Sequence, residues 1–265
     1  MIAWQGHESI AAFWLSGKQK YAIVCEDTVS SNTVSKIFNR DDVEVVSGSG
    51  WKFVVGIVDE LKALCATKNK KMFGFIDRDY WFVRDDENIL TNSDLVHTSY
   101  RDIEIELIES SALLDFINIK KPTRSGHTET IRQSIYDNLY EIGMLRAYNH
   151  LNAKGWSFPE VIEYAGNGNF AFSRWESTFL QRNKIKKPAY TDYKEWKKIN
   201  IFDPKNVIRG HDATMLLHGI LGIQYAKPRT KNDKTVTIED CLALCIRKEH
   251  LNHFNWAQSL RQLLV

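Results

Sequence analysis

The first 76 residues alternate short apolar runs with segments of helical spacing, and this alternation constrains the fold more than any other feature. Three apolar runs, each long enough for one strand, lie at 21–25, 43–46 and 72–76. A helix is expected over 51–64, where apolar residues recur at helical spacing, and a shorter one over 33–38. Because a β-α-β-α-β series forms a parallel sheet with crossover helices, we predict an α/β, Rossmann-like fold.

The pattern changes after about residue 118. A fourth strand over 94–98 and a helix over 102–116 complete the α/β region, and the following residues read mainly as helices. One helical stripe is formed by Ile131, Ile135, Leu139, Ile142 and Leu145. We therefore expect two domains, an α/β domain over 1–118 and a mainly helical C-terminal domain over 119–265.

Charge is distributed unevenly along the chain, although the formal net charge is only +2. Residues 77–109 contain ten acids and three bases, whereas residues 180–265 contain sixteen Lys/Arg and eight Asp/Glu. An acidic segment of this kind is most often a solvated loop. Beside a basic surface, it is also typical of a metal-dependent enzyme that acts on a polyanion.

Composition and hydropathy exclude several classes of protein. The longest apolar runs are far shorter than the roughly 18 residues that a membrane span needs, so no membrane association is expected. No basic cluster precedes an apolar stretch at the N-terminus, so no secretory signal is visible. Four scattered cysteines are too few for a disulfide framework in 265 residues, which favours a cytoplasmic location.

Acidic residues and glycines follow the three predicted strands. Glu26 follows the first strand, the Gly48/Gly50 loop the second, and Asp77 and Asp79 the third. On an extended chain Asp77 and Asp79 would point the same way, and two carboxylates held that close repel each other unless a cation lies between them. Since hard cations prefer oxygen ligands, the pattern predicts a Mg²⁺ or Mn²⁺ site, with a solvated turn of two acids as the alternative.

Motifs at these positions resemble a known family. The segments IVCED at 23–27 and GFIDRD at 74–79 are similar to the two motifs of the TOPRIM fold, which topoisomerases, primases and OLD-family nucleases share. The segments VSGSGWK at 46–52, YRDIE at 100–104 and VIRGHD at 207–212 resemble the TOPRIM-like nucleases that accompany OLD-type ATPases, including the effectors of the PARIS anti-phage system. Roughly half of the chain lies outside these motifs and shows no resemblance to the family.

The resemblance implies a metal-dependent endonuclease that acts as a toxic effector in anti-phage defence. It implies that Glu26, Asp77, Asp79 and Glu104 are metal ligands and catalytic residues, with Mg²⁺ or Mn²⁺ as cofactor. His211 stands where related sequences often carry a lysine, and it would contact phosphate. The implied partners are an ATPase of the same defence system and a nucleic acid substrate, with tRNA suggested by the resemblance alone; a homodimer in the active state is compatible with it.

Two other functions remain open from the sequence. One is a DNA nuclease of the OLD type, and the other is a catalytically silent TOPRIM scaffold that binds the ATPase. The segment 184–198 interleaves Lys with Tyr190, Tyr193 and Trp196. This interleaving suits the phosphates and unstacked bases of RNA, and a solvated amphipathic surface explains it equally well.

Overall fold

The chain divides into two compact units. The computed structural model describes residues 16–38, 41–81, 91–166, 169–223 and 237–264. Unit 1 comprises Met1–Glu106 and Ala243–Val265, and unit 2 comprises Leu107–Leu242. Within the described ranges, no helix is long and apolar enough to cross a membrane.

Unit 1 is built around a parallel sheet of four strands. The strands are β1 (Tyr21–Cys25), β2 (Val43–Ser47), β3 (Lys71–Ile76) and β4 (Leu95–His97). Their order in the sheet is β2-β1-β3-β4, and every neighbouring pair is parallel. The predicted α/β class with a parallel sheet is confirmed.

Eleven α-helices lie in the described residues. They are α1 (Thr28–Val34), α2 (Trp51–Thr67), α3 (Ile103–Glu109), α4 (Ala112–Lys120), α5 (Thr128–Leu151), α6 (Phe172–Arg182), α7 (Lys187–Ile199), α8 (Pro204–Val207), α9 (Gly210–Leu221), α10 (Ile238–Cys245) and α11 (Asn255–Leu263). Short 3₁₀ helices cover Pro122–His127, Val161–Tyr164 and His250–His253, and a two-stranded antiparallel pair joins β5 (Ala165–Gly166) to β6 (Asn169–Phe170).

Both faces of the parallel sheet are covered within unit 1. On one face α2 packs through Val54 and Val58. A Cβ atom added at Gly74 would lie 2.7 Å from Val54 Cγ1, so only glycine allows the helix to approach β3 this closely. On β3, Phe75 contacts Trp256 of α11, with ring centroids 4.9 Å apart.

The contact with α11 changes the expected division of the chain. We expected the whole segment 119–265 to form the second domain, whereas residues 243–265 belong to unit 1 and the first boundary falls after Glu106. The physical reason is that a parallel sheet needs apolar cover on both faces. Trp256, only 2% exposed, supplies part of that cover from the far end of the chain.

Unit 2 is mainly helical, with α5 as its longest element. The predicted stripe from Ile131 to Leu145 is buried, and each of its five residues is at most 4% exposed. Arg146 of α5 forms two hydrogen bonds with Asp212 of α9, at 2.8 and 3.1 Å. This ion pair, in which Asp212 is buried, joins α9 to α5.

Candidate functional site: a carboxylate cluster at the strand ends

The carboxyl ends of β1 and β3 lie side by side in the sheet. The chain leaves β1 towards β2 on one side, and β3 lies on the other side. Such a change of direction opens a crevice at the carboxyl ends of the strands, where α/β proteins bind their ligands. Glu26 follows β1 directly and Asp77 follows β3 directly, so both lie at this crevice.

The Gly48/Gly50 loop after β2 is hydrogen-bonded to the end of β1 at the same crevice. The N–H of Gly48 donates to Cys25 O at 2.7 Å, and the N–H of Gly50 donates to Glu26 O at 3.0 Å. Gly50 has a φ of 93°, a conformation that side chains rarely allow, and it immediately precedes α2. The loop therefore holds the backbone of Glu26 next to the first turn of α2.

The carboxylate of Glu26 is hydrogen-bonded to the end of the neighbouring strand. Its Oε2 accepts a hydrogen bond from the N–H of Asp77 at 3.1 Å. Burial raises the pKa of Glu26 to about 7, and the charges of Asp79 and Asp27 act in the same direction. The N–H groups of Asp77 and Trp51 oppose this shift. Glu26 can therefore gain or lose a proton close to neutral pH.

Asp77 connects the strand end to α3. Its Oδ1 accepts a hydrogen bond from the N–H of Ile103, the first residue of that helix, at 3.0 Å. Burial raises the pKa of Asp77 well above its usual range, and four neighbouring carboxylates raise it further: Glu104, Asp102, Glu26 and Asp27. The surroundings of Asp77 thus favour a proton or another cation.

Asp79 occupies a different position from the one expected. Strand β3 ends at Ile76, and Asp79 lies in a turn with a φ of 45°. Its N–H donates to Arg101 O at 2.7 Å, and its carboxylate lies 3.8 Å from Arg101 Nη2. The chain over 77–79 is therefore not extended as we expected, because it turns at Asp79.

The acids of the YRDIE segment have separate surroundings. Asp102 is buried and its Oδ1 accepts from the N–H of Ile105 at 3.3 Å, within the first turn of α3. Glu104 is half-buried, and its charge acts on Asp77. Glu106 faces the backbone instead, where its Oε1 accepts from the N–H groups of Ser99 and Tyr100. Among the acids of this segment, Glu104 therefore fits the predicted role of a metal ligand beside Asp77 best.

We refer to six residues as the carboxylate cluster: Glu26, Asp27, Asp77, Asp79, Asp102 and Glu104. Charge and donor type in this cluster fit a hard cation, which would relieve the repulsion that raises the pKa of Asp77. Within the ranges that the structure describes, however, no three His, Cys, Asp or Glu side chains are arranged to hold an ion. A complete ligand set would therefore require the side chains of the cluster to rearrange.

His211, the fifth predicted site residue, belongs to unit 2. Its Nδ1 lies 3.1 Å from Oε1 of Glu239, and the hydroxyl of Thr214 donates to the same oxygen. Burial alone would raise the pKa of Glu239, but the hydrogen bonds from His211 and Thr214 outweigh it and lower that pKa to about 2. Sequence reasoning missed this acid, since nothing in the spacing joins residues 211 and 239.

The aromatic residues of the segment 184–198 are used for packing. Tyr193 is fully buried, and its hydroxyl donates to Glu141 Oε1 at 2.7 Å. Trp196 and Tyr193 both contact Tyr148, with centroid distances of 5.3 and 5.5 Å. These contacts favour the amphipathic alternative for the aromatic side chains, while Lys194 on α7 is exposed.

Comparisons of the chain with protein-family models, with curated proteins and with solved structures find no match. The features that point to a function are therefore the carboxylate cluster and the motifs at 23–27, 46–52, 74–79, 100–104 and 207–212.

Proposed function

We propose that this chain is a Mg²⁺- or Mn²⁺-dependent endonuclease of the TOPRIM type. By resemblance to AriB of the PARIS system, it is the toxic effector of an anti-phage defence system, controlled by an AriA-like partner ATPase. Its proposed substrate is RNA, with tRNA as the target.

One observation carries this proposal. Glu26 and Asp77 lie at the carboxyl ends of adjacent parallel strands, where the N–H of Asp77 donates to the carboxylate of Glu26, although the charge of Glu26 raises the pKa of Asp77. Keeping like charges close together costs stability, so such an arrangement is typical of a site that binds a cation.

The residues of the cluster would have distinct roles in phosphodiester cleavage. Without a bound ion, burial raises the pKa of Glu26 to about 7, so Glu26 would be suited to proton transfer near neutral pH whenever it does not bind the ion. Asp77, Asp79 and Glu104, with Glu26, would hold the metal ion. When bound, the ion supplies positive charge for the transferring phosphate and activates the attacking nucleophile.

Cleavage assays test the proposal directly. Purified chain, activated with its partner ATPase, is incubated with tRNA and with plasmid DNA in Mg²⁺ or Mn²⁺. We expect tRNA cleavage by the wild type and a loss of at least about 100-fold in Glu26→Gln. Asp59→Asn is the matched control, because Asp59 is an exposed acid on α2. Equal cleavage by Glu26→Gln would contradict the role of Glu26.

A second candidate is the catalytically silent scaffold. It is favoured by the finding that, in the described part of the chain, the carboxylates do not form a ready ligand set. A scaffold predicts that Glu26→Gln and Asp77→Asn leave cellular toxicity unchanged while the chain still binds the ATPase. The nuclease predicts that both variants abolish toxicity. Cleavage of plasmid DNA with intact tRNA would instead support a DNA nuclease of the OLD type.

A further inference from the structure

Unit 2 contains a cavity that is lined by no residue of the carboxylate cluster. It has a volume of about 470 Å³ and lies between the 3₁₀ helix Pro122–His127, the first turns of α5, and Ile220 near the end of α9. Ligand pockets for small molecules commonly have volumes of about 300–1,000 Å³. The cavity is therefore large enough for a nucleotide-sized molecule.

The polar side of the cavity is basic and rich in hydroxyl groups. Arg124 and His127 line it together with the hydroxyl-bearing side chains of Thr123, Thr130 and Ser134. Among the described residues that line the cavity, none is acidic. Cationic and hydroxyl donors without a competing carboxylate are the groups that bind phosphate oxygens.

The position of Arg124 supports this interpretation. Its Nη1 donates to the backbone oxygen of Ile220 at 3.3 Å, which holds the guanidinium at the cavity wall. A planar guanidinium carries five N–H donors, so this one contact leaves others that can reach a ligand. Glu129, the nearest acid along the chain, is paired with Arg132. The positive charge of Arg124 is therefore not neutralised by this acid.

The chain around the cavity adds to its positive charge. Residues 120–127 include Lys120, Lys121, Arg124 and His127 and contain no Asp or Glu. A segment with this charge attracts polyanions and single phosphate groups alike.

The two remaining lining residues, Ile131 and Ile220, belong to the core. They are 4% and 6% exposed, so a ligand meets little apolar surface in the cavity. The groups within a ligand's reach are the cationic and hydroxyl side chains, and these fit a phosphate group together with the hydroxyl groups of a ribose.

We propose that this cavity binds a nucleotide through its phosphate group, either as a free nucleotide or as one unit of an RNA chain. Arg124 and His127 contact the phosphate oxygens, and the hydroxyl groups bind the remaining phosphate or ribose oxygens. The site does not depend on the proposed nuclease function, since a chain that cleaves nothing can still bind a nucleotide here.

Binding measurements on the full chain test this site. Isothermal titration calorimetry in EDTA, which prevents metal-dependent cleavage, uses three probes: inorganic phosphate, 5′-AMP and a single-stranded RNA of twelve nucleotides. We expect 5′-AMP to bind more tightly than inorganic phosphate. RNA that binds more tightly than 5′-AMP to the wild type and more weakly to Arg124→Gln identifies a chain segment as the ligand, and RNA binding that is unchanged in Arg124→Gln identifies a free nucleotide.

Variants distinguish ligand binding in this cavity from general attraction of the ligand to basic side chains on the surface. Arg124→Gln is expected to weaken 5′-AMP binding at least tenfold, and Thr130→Val, an exposed position, is expected to weaken it to a smaller extent. Arg182→Gln is the matched control, because Arg182 is exposed in the same unit and does not line the cavity. Circular dichroism and thermal unfolding show whether each variant is folded. Wild-type affinity in folded Arg124→Gln, or no binding of any probe to the wild type at millimolar concentration, would overturn the proposal.

Discussion

The N–H of Asp77 donates a hydrogen bond of 3.1 Å to Oε2 of Glu26, and this bond joins the ends of two adjacent parallel strands. Asp77 in turn accepts from the N–H of Ile103 at 3.0 Å, so the start of α3 is tied to the same point. A change at Glu26 therefore also affects the position of Asp77. Glutamine is the appropriate substitution there, because its amide oxygen can still accept the bond from Asp77.

The raised pKa of Glu26 predicts that the stability of the protein decreases as pH rises from about 4.5 to about 7. An unfolded glutamate has a pKa near 4.5, whereas in the folded chain the value is about 7. Between these values the folded state binds more protons, so the free energy of unfolding falls with increasing pH. A shift of this size corresponds to at most about 3 kcal/mol.

Urea unfolding at pH 5 and pH 7.5 in EDTA measures this effect. Glu26→Gln should lose less stability between the two pH values than the wild type, and Asp59→Asn should behave as the wild type does. Identical pH dependence in the wild type and Glu26→Gln would show that the carboxyl of Glu26 titrates normally in the folded state.

Glu106 is predicted to be a structural acid. It is fully buried, burial raises its pKa to about 7, and it accepts hydrogen bonds from the N–H groups of Ser99 and Tyr100. Glu106→Ala leaves both donors without this acceptor and should reduce the free energy of unfolding by about 2–4 kcal/mol. Glu106→Gln keeps an acceptor and should cost clearly less, as measured by urea unfolding. Equal losses in the two variants would contradict this role.

His211 and Asp212, which are neighbours in the VIRGHD segment, should contribute differently to the stability of the protein. Asp212 is 3% exposed and forms two hydrogen bonds with Arg146, so Asp212→Ala removes a buried carboxylate and both of these bonds. We expect a loss of about 3–5 kcal/mol in the free energy of unfolding. The side chain of His211 is 42% exposed, and His211→Ala removes one hydrogen bond to Glu239 while that from Thr214 remains, so the loss should be smaller, about 1.5–3 kcal/mol. A larger loss in His211→Ala than in Asp212→Ala would reverse this assignment.

On and near α7, substitution of lysines should change RNA affinity, whereas substitution of Tyr193 should change stability. Lys186 and Lys194 are exposed, so replacing both with alanine should weaken RNA binding and reduce its salt dependence. Tyr193→Phe removes a buried hydroxyl that donates to Glu141 and should lower stability by about 1 kcal/mol without changing RNA affinity. Filter binding at two salt concentrations measures the affinity, with the exposed Lys68→Ala as control. Loss of RNA binding in folded Tyr193→Phe would contradict this separation and show that the hydroxyl of Tyr193 is needed for RNA binding.

Much of unit 1 follows from local sequence patterns. The apolar runs and the helical spacing over 51–64 predict β1, β2, β3 and α2 to within a few residues, because hydrophobic periodicity is a local signal. The first helix was expected over 33–38 but covers Thr28–Val34. Asp27 starts it by accepting a hydrogen bond from the N–H of Ser30 at 2.7 Å.

Other features depend on contacts between distant parts of the chain. The packing of Trp256 on Phe75 and the pairing of His211 with Glu239 join residues that no local pattern connects. The turn at Asp79 also differs from the prediction, since a left-handed conformation at an aspartate has no clear sequence signal. The positions of Glu26 and Asp77 could be predicted because each directly follows an apolar run.

Cation binding at the carboxylate cluster is the central claim, and Mn²⁺ titration followed by electron paramagnetic resonance tests it most directly. The spectrum of free Mn²⁺ measures how many ions the wild type, Asp77→Asn and Asp59→Asn each bind at pH 7.5. We predict that the wild type and Asp59→Asn bind at least one ion per chain with the same affinity, and that Asp77→Asn binds at least tenfold more weakly. Equal Mn²⁺ binding by Asp77→Asn and the wild type would contradict a metal site at these strand ends.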